Sequence, residues 1–181
     1  MKKITITCLV AVAILAAKCG KGTESDFLIT PTSFGKLTKE NSAKDLETIY
    51  ATDSIVKDDA VQLSASVRKE HIYEKGGKPL FTVSISKDSI IDNIRVLDPR
   101  YTTDKGINLL STFKDIKDNY TIHKVLTSMN NVVLFIKDSD VYFTIDKKEL
   151  PENLRYSNNT NIEAIQIPDA AKIKYLMIDW E

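Results

Sequence analysis

Alternation with a period of two constrains this chain more than any other feature. Val61, Leu63, Ala65 and Val67 alternate with Gln62, Ser64, Ser66 and Arg68, and Phe81, Val83 and Ile85 alternate with Thr82, Ser84 and Ser86. This spacing puts apolar side chains on one face of a strand and polar ones on the other, the pattern of an antiparallel sheet with a single buried face. Between the two runs, Gly76-Gly77 offers the positive φ angles of a hairpin. Pro79 stands at the start of the returning strand, where a missing N–H is harmless. The alternation slips over residues 69–73, which reads as a bulge or an exposed strand end.

Further strands follow from the same logic. Ile90, Ile91, Ile94 and Val96 form one, ended by Asp98-Pro99. Residues 121–128, 132–136 and 141–145 form three more, joined at Asn130-Asn131 and at Asp138-Ser139-Asp140. Residues 162–167 and 173–180 are the last apolar runs, and the alternation of Ile173, Tyr175 and Met177 with Lys172 and Lys174 favours a strand. Phe27-Leu28-Ile29, before a turn over residues 31–35, reads as a first edge strand or as a segment laid against the domain. Two short helices interrupt the pattern. Leu46, Ile49 and Tyr50 share a helical face over residues 42–50, with Asn41 or Ser42 as the cap. Phe113, Ile116 and Tyr120 do so over 112–120, where Thr112 and Asp115 make a capping box with Asp in place of Glu. One further helical turn fits residues 147–150, before Pro151. The fold class is α+β, a mainly antiparallel β-sheet with two short helices.

The amino terminus has a separate purpose. Met1-Lys2-Lys3 precedes an apolar stretch over residues 4–17, the n-region and h-region of a secretory signal. Fourteen residues fall short of the roughly 20 needed to span the hydrocarbon. Leu15-Ala16-Ala17-Lys18-Cys19-Gly20 then resembles the lipobox of bacterial lipoproteins. That resemblance implies a lipidated Cys19, with the signal cut before it. Lys18 departs from the small residue usual before the cysteine, and ordinary signal-peptidase cleavage near Ala13 or Ala17 is the rival. The expected division is a signal peptide over 1–18, a lipidated tether over 19–26 and a single α+β domain over 27–181. Removing the signal removes Lys2, Lys3 and Lys18 and no acid, so the formal net charge of zero becomes 22 basic against 25 acidic side chains. A mildly acidic chain has no general attraction to nucleic acid or anionic lipid, so membrane contact must come from the anchor.

Two segments resemble uncharacterised lipoproteins of Bacteroidetes-type bacteria. One is Gly106-Ile107, Ser111-Thr112-Phe113, Asp115-Ile116 and Tyr120 followed by a hairpin ending in Tyr142-Phe143-Thr144-Ile145. The other is Phe34-Gly35-Lys36-Leu37-Thr38 with Leu46 and Asp53-Ser54-Ile55-Val56. The resemblance implies an envelope location and a fold, and carries no activity.

The residues that bear chemistry are few and scattered. His71 and His123 have no cysteine or second histidine at ligand spacing, and read as surface or half-buried structural residues. Gly76-Gly77-Lys78 lacks the frame of a phosphate loop. Asp138-Ser139-Asp140 supplies at most two oxygens of the 6–8 that calcium takes, and Asp53, Asp58 and Asp59 are similarly dispersed. No catalytic residue, metal ligand or cofactor is therefore assigned, and the ligand-binding residues stay unknown. Most aromatic residues, Tyr50, Phe81 and Tyr101 among them, fall on apolar faces and read as core. Phe135 and Tyr142 are out of phase with their inward neighbours; either they expose an aromatic face or a second layer covers them. The expected function is a lipid-anchored protein of the cell envelope, on the outer membrane, acting as a non-enzymatic binding module for an envelope protein or a ligand. The alternatives are an envelope hydrolase using a carboxylate pair, and a periplasmic inhibitor or immunity-type protein.

Overall fold

A computed structural model describes residues 24–58, 67–156 and 161–180. The signal segment 1–18, Cys19, Asp59 and the alternating positions Val61, Leu63 and Ala65 lie outside the described residues. Ordered structure is already present at Glu24–Phe27, a 3-10 turn within the stretch read as tether.

The elements in chain order are β1 (Leu28–Ile29), β2 (Ser33–Phe34), β3 (Leu37–Thr38), α1 (Leu46–Ile49), β4 (Ser54–Lys57), β5 (Arg68–Tyr73), β6 (Pro79–Ile85) and β7 (Ile91–Val96). They continue with β8 (Thr102–Thr103), α2 (Phe113–Asn119), β9 (Ile122–Thr127), β10 (Asn131–Ile136), β11 (Val141–Asp146), α3 (Glu152–Arg155) and β12 (Ile173–Asp179). The large sheet has eight strands in the order β4-β5-β6-β7-β12-β11-β10-β9, and every pairing in it is antiparallel. Its plan is two meanders, β4 to β7 and β9 to β11, with the last strand β12 seated between them. Met177, Ile178 and Asp179 of β12 pair with Arg95, Ile94 and Asn93 on one side, while Tyr142 and Phe143 face Met177 and Leu176 on the other. A small sheet, β3-β2-β1-β8, contains the one parallel pairing, Leu28 with Thr102 and Ile29 with Thr103.

One face of the large sheet carries the core. Val83, Ile94, Leu134, Phe143 and Leu176 are fully buried, and they meet Ile29, Phe34 and Leu37 of the small sheet, Leu46 of α1, and Phe113 and Ile116 of α2. Each such burial is worth about 1.5–3 kcal/mol, which is why the elements with inward apolar residues collapse onto this face. The Thr112 capping box forms as the sequence suggests, with Asp115 accepting from the Thr112 backbone N–H at 2.7 Å, and Ser42 is the cap of the first helical segment, where Asp45 accepts from its backbone N–H at 2.8 Å. These bonds satisfy donors that a helix start leaves orphaned.

Of the two readings of residues 69–73, the bulge is the one the structure has: they belong to a paired strand with a register shift at Ile72/Tyr73, and are not a free strand end. The alternation looks broken because Glu70 occupies a core-facing position, 2% exposed, and accepts a hydrogen bond from Arg68 Nε. Residues 162–167, the first of the two last apolar runs, form a loop with a 3-10 turn at Ala164–Gln166. Beyond Pro151, where the pattern suggested interruption, the chain forms α3 with Pro151 as its N-cap, because proline is well suited to a helix start. Among the described residues, no helix is long and apolar enough to cross a membrane.

Candidate functional site

Five segments converge at the β5–β6 end of the molecule around a cavity of about 600 Å³. Its floor and walls include Phe27, Tyr50, Leu80 and Tyr101, with Lys36, Asp53 and Glu74 toward the rim. A volume of this size matches the recesses that hold small molecules.

The aromatic wall is built by packing. The Phe34 and Tyr101 rings stack at 4.3 Å, and Phe81 stands edge-on to Phe34, Tyr50 and Tyr101 at 4.9, 5.3 and 5.8 Å. Phe27 closes the cluster edge-on to Tyr101 at 5.1 Å. Edge-to-face pairs add about 0.5–1.5 kcal/mol each to the burial term, so this wall is a rigid part of the core. Gly35 makes the approach of the amino-terminal turn possible. It holds φ +54°, and a Cβ there would lie 2.4 Å from the Asp26 carbonyl oxygen and 3.2 Å from the Tyr101 ring.

The two tyrosine hydroxyls lie close together. That of Tyr50 is buried without a well-formed hydrogen bond to any described residue. Burial raises the Tyr50 pKa above its ordinary value, and burial together with the neighbouring Tyr50 raises that of Tyr101. Both phenols therefore stay protonated, as hydrogen-bond donors. A buried donor left unmatched costs about 1–3 kcal/mol.

Glu74 on the cavity lining belongs to an ion cluster centred on Arg100 behind it. Its guanidinium donates to both Glu74 oxygens, at 3.0 and 2.9 Å, and from Nε and Nη2 to Asp98 Oδ2, at 3.0 and 2.7 Å. It also stacks over the Phe27 ring at 4.3 Å. Lys78 Nζ adds a second cation to Asp98, at 2.8 Å. Burial alone would push the Asp98 carboxyl up, but the hydrogen bonds from Arg100 and Lys78 outweigh it and hold the pKa at about 2. The Arg100 hydrogen bonds lower that of Glu74 as well. The cluster is a fixed, fully ionised brace.

Of the residues weighed from sequence for metal or acid–base chemistry, Asp53 lies at this cavity, while His71, His123, Asp138 and Asp140 lie elsewhere. His71 is on the face of β5 turned away from the core, its Nδ1 at 2.9 Å from Thr82 Oγ1, and His123 is exposed on the edge strand β9. Five strands separate the two. Asp138 and Asp140 stay in their turn, Asp140 paired with Lys39, and among the described residues no three His, Cys, Asp or Glu side chains are grouped to hold a metal. Phe135 and Tyr142 stack at 5.5 Å and remain half-buried, so the sheet's outer face is not covered at this point. Tyr142 OH there accepts from Asn93 Nδ2 at 2.9 Å.

No protein-family model matches the chain, and no curated protein sequence matches it. The crystal structure of the uncharacterized protein yfeY from Escherichia coli is similar, with a TM-score of 0.59 at 15% identity over 83% of this chain and 98% of that one. At that identity the similarity shows a shared fold, α+β with a mainly antiparallel sheet.

Proposed function

We propose that this chain is a lipoprotein of the bacterial cell envelope, held on the outer membrane through Cys19 and akin to the Bacteroidetes-type lipoproteins, and that it is a non-enzymatic binding module. Its site is the tyrosine-walled cavity, and its ligand is a small, largely apolar molecule. The observation that carries this reading is a preformed recess of about 600 Å³ walled by Phe27, Tyr50, Leu80 and Tyr101. Binding fits the electrostatics better than hydrolysis. A carboxylate-pair hydrolase needs one carboxyl raised so that it can donate a proton, whereas the neighbouring pair Glu74 and Asp98 is lowered at both members. Seven Cα-to-Cα steps lead from Cys19 to Asp26 on the cavity wall. At full extension they reach about 25 Å, so an anchored chain would present the cavity close to the membrane.

Nile red, an apolar dye with a carbonyl acceptor and polarity-sensitive emission, tests the site. The expected result is saturable, one-to-one enhancement of its fluorescence by the wild-type chain, lost when Thr52→Trp fills the cavity from its exposed rim. Equal enhancement by both proteins would overturn the assignment.

A further inference from the structure

A second cavity, of about 470 Å³, lies in the other half of the large sheet, where β11 ends and β12 begins. Lys147, Lys148, Arg155 and Lys174 all line it, against the single carboxylate of Asp146. This imbalance is local: the whole chain has 25 basic and 25 acidic side chains. Four cations facing one recess are therefore a concentrated feature and not the general character of the surface.

The one acid is already committed. Asp146 Oδ1 accepts from the Lys148 backbone N–H at 3.0 Å, and Oδ2 accepts from Lys174 Nζ at 2.8 Å. The Lys174 ammonium also donates to Asn131 Oδ1 at 2.9 Å. Asp146 thus offsets Lys174, and Lys148 and Arg155 contribute positive potential, which concave low-dielectric walls focus. Arg155 is fixed in place by donation from its Nε to the Leu150 carbonyl at 2.6 Å. That bond uses the inner edge of the guanidinium and leaves it pre-oriented. A planar guanidinium flanked by lysine ammoniums is the donor set suited to tetrahedral phosphate oxygens.

We infer that this cleft binds a phosphate group, with Arg155 and Lys148 as its principal contacts. A lipid headgroup and a soluble phosphate ester carry the same chemistry, and two titrations of the full chain in dodecyl maltoside micelles separate them. In the first, pyrophosphate is titrated by calorimetry. In the second, phosphatidylglycerol is added to the micelles and its binding followed by the broadening of its phosphorus NMR line, with phosphatidylcholine as reference. Each is repeated with Lys148→Glu, and with Lys124→Glu, which makes the same charge change at an exposed position on β9 outside the cleft. Binding of pyrophosphate that Lys148→Glu weakens about tenfold or more, while Lys124→Glu leaves it near wild type, supports a soluble phosphate ligand. The same pattern confined to phosphatidylglycerol supports a headgroup. Arg155→Lys, which keeps the charge and loses the fork, is expected to fall between wild type and Lys148→Glu. Absence of binding in both titrations, or equal weakening by the two charge reversals, would overturn the inference.

Discussion

Gly35→Ala isolates the contact that fastens the amino-terminal turn to the aromatic wall. Two costs add there. An alanine at φ +54° adopts the left-handed conformation, at about 1–2 kcal/mol. Its Cβ would also lie 2.4 Å from the Asp26 carbonyl oxygen, a full ångström inside ordinary contact at 3.4 Å. The obstacle is backbone, and forcing such an overlap into a packed region costs about 1–3 kcal/mol more. The total is about 2–5 kcal/mol, a large fraction of the stability of an ordinary domain. Gly106→Ala is the matched control, since Gly106 has φ +82° and nothing within 4 Å of the added Cβ, so it bears the backbone cost alone. Urea unfolding followed by the fluorescence of Trp180 measures both, with midpoints compared at constant slope. Gly35→Ala should lose clearly more stability than Gly106→Ala, and Nile red binding should weaken as the Asp26 and Tyr101 wall shifts. A loss no greater than that of Gly106→Ala would refute the close approach.

Two further outcomes follow from the same region. The Asp98 carboxyl, at about 2 in the folded chain against an ordinary 3.8, contributes stability that is complete above about pH 4 and is lost as pH falls toward 2. The size is about 2 kcal/mol, and an acid titration of stability should lose that component in Asp98→Asn; an unchanged acid limb would count against the brace. Tyr50→Phe removes a hydroxyl that has no well-formed partner. Its unfolding midpoint should stay level or rise, whereas a loss above about 1.5 kcal/mol would show that the hydroxyl is already bonded.

The elements that local pattern controls were legible from the residues. The Gly76-Gly77 hairpin, the Thr112 and Asp115 capping box and the three strands after it depend on neighbours two to four positions apart, and periodicity reports those. β5 was obscured because Glu70 faces the core, and hydropathy alone does not mark an acid held there by Arg68. The placement of β12 between β7 and β11 is a long-range pairing that no local spacing encodes. The site was hidden for the same reason. Tyr50, Glu74 and Tyr101 look like core aromatics and a hairpin edge, and only the folded chain brings them around one recess. Phe135 and Tyr142, by contrast, were visible as out of phase, and they do form a stacked pair on the outer face.

The state of the mature amino terminus tests most directly whether this is an anchored binding module. Intact-mass and fragment mass spectrometry of the chain recovered from envelope membranes reads it. The expected result is a chain that begins at Cys19 and carries acyl mass on that residue, with loss of both the mass and membrane retention in Cys19→Ala. A chain that begins elsewhere near Ala13 or Ala17, or an unmodified Cys19, would contradict it.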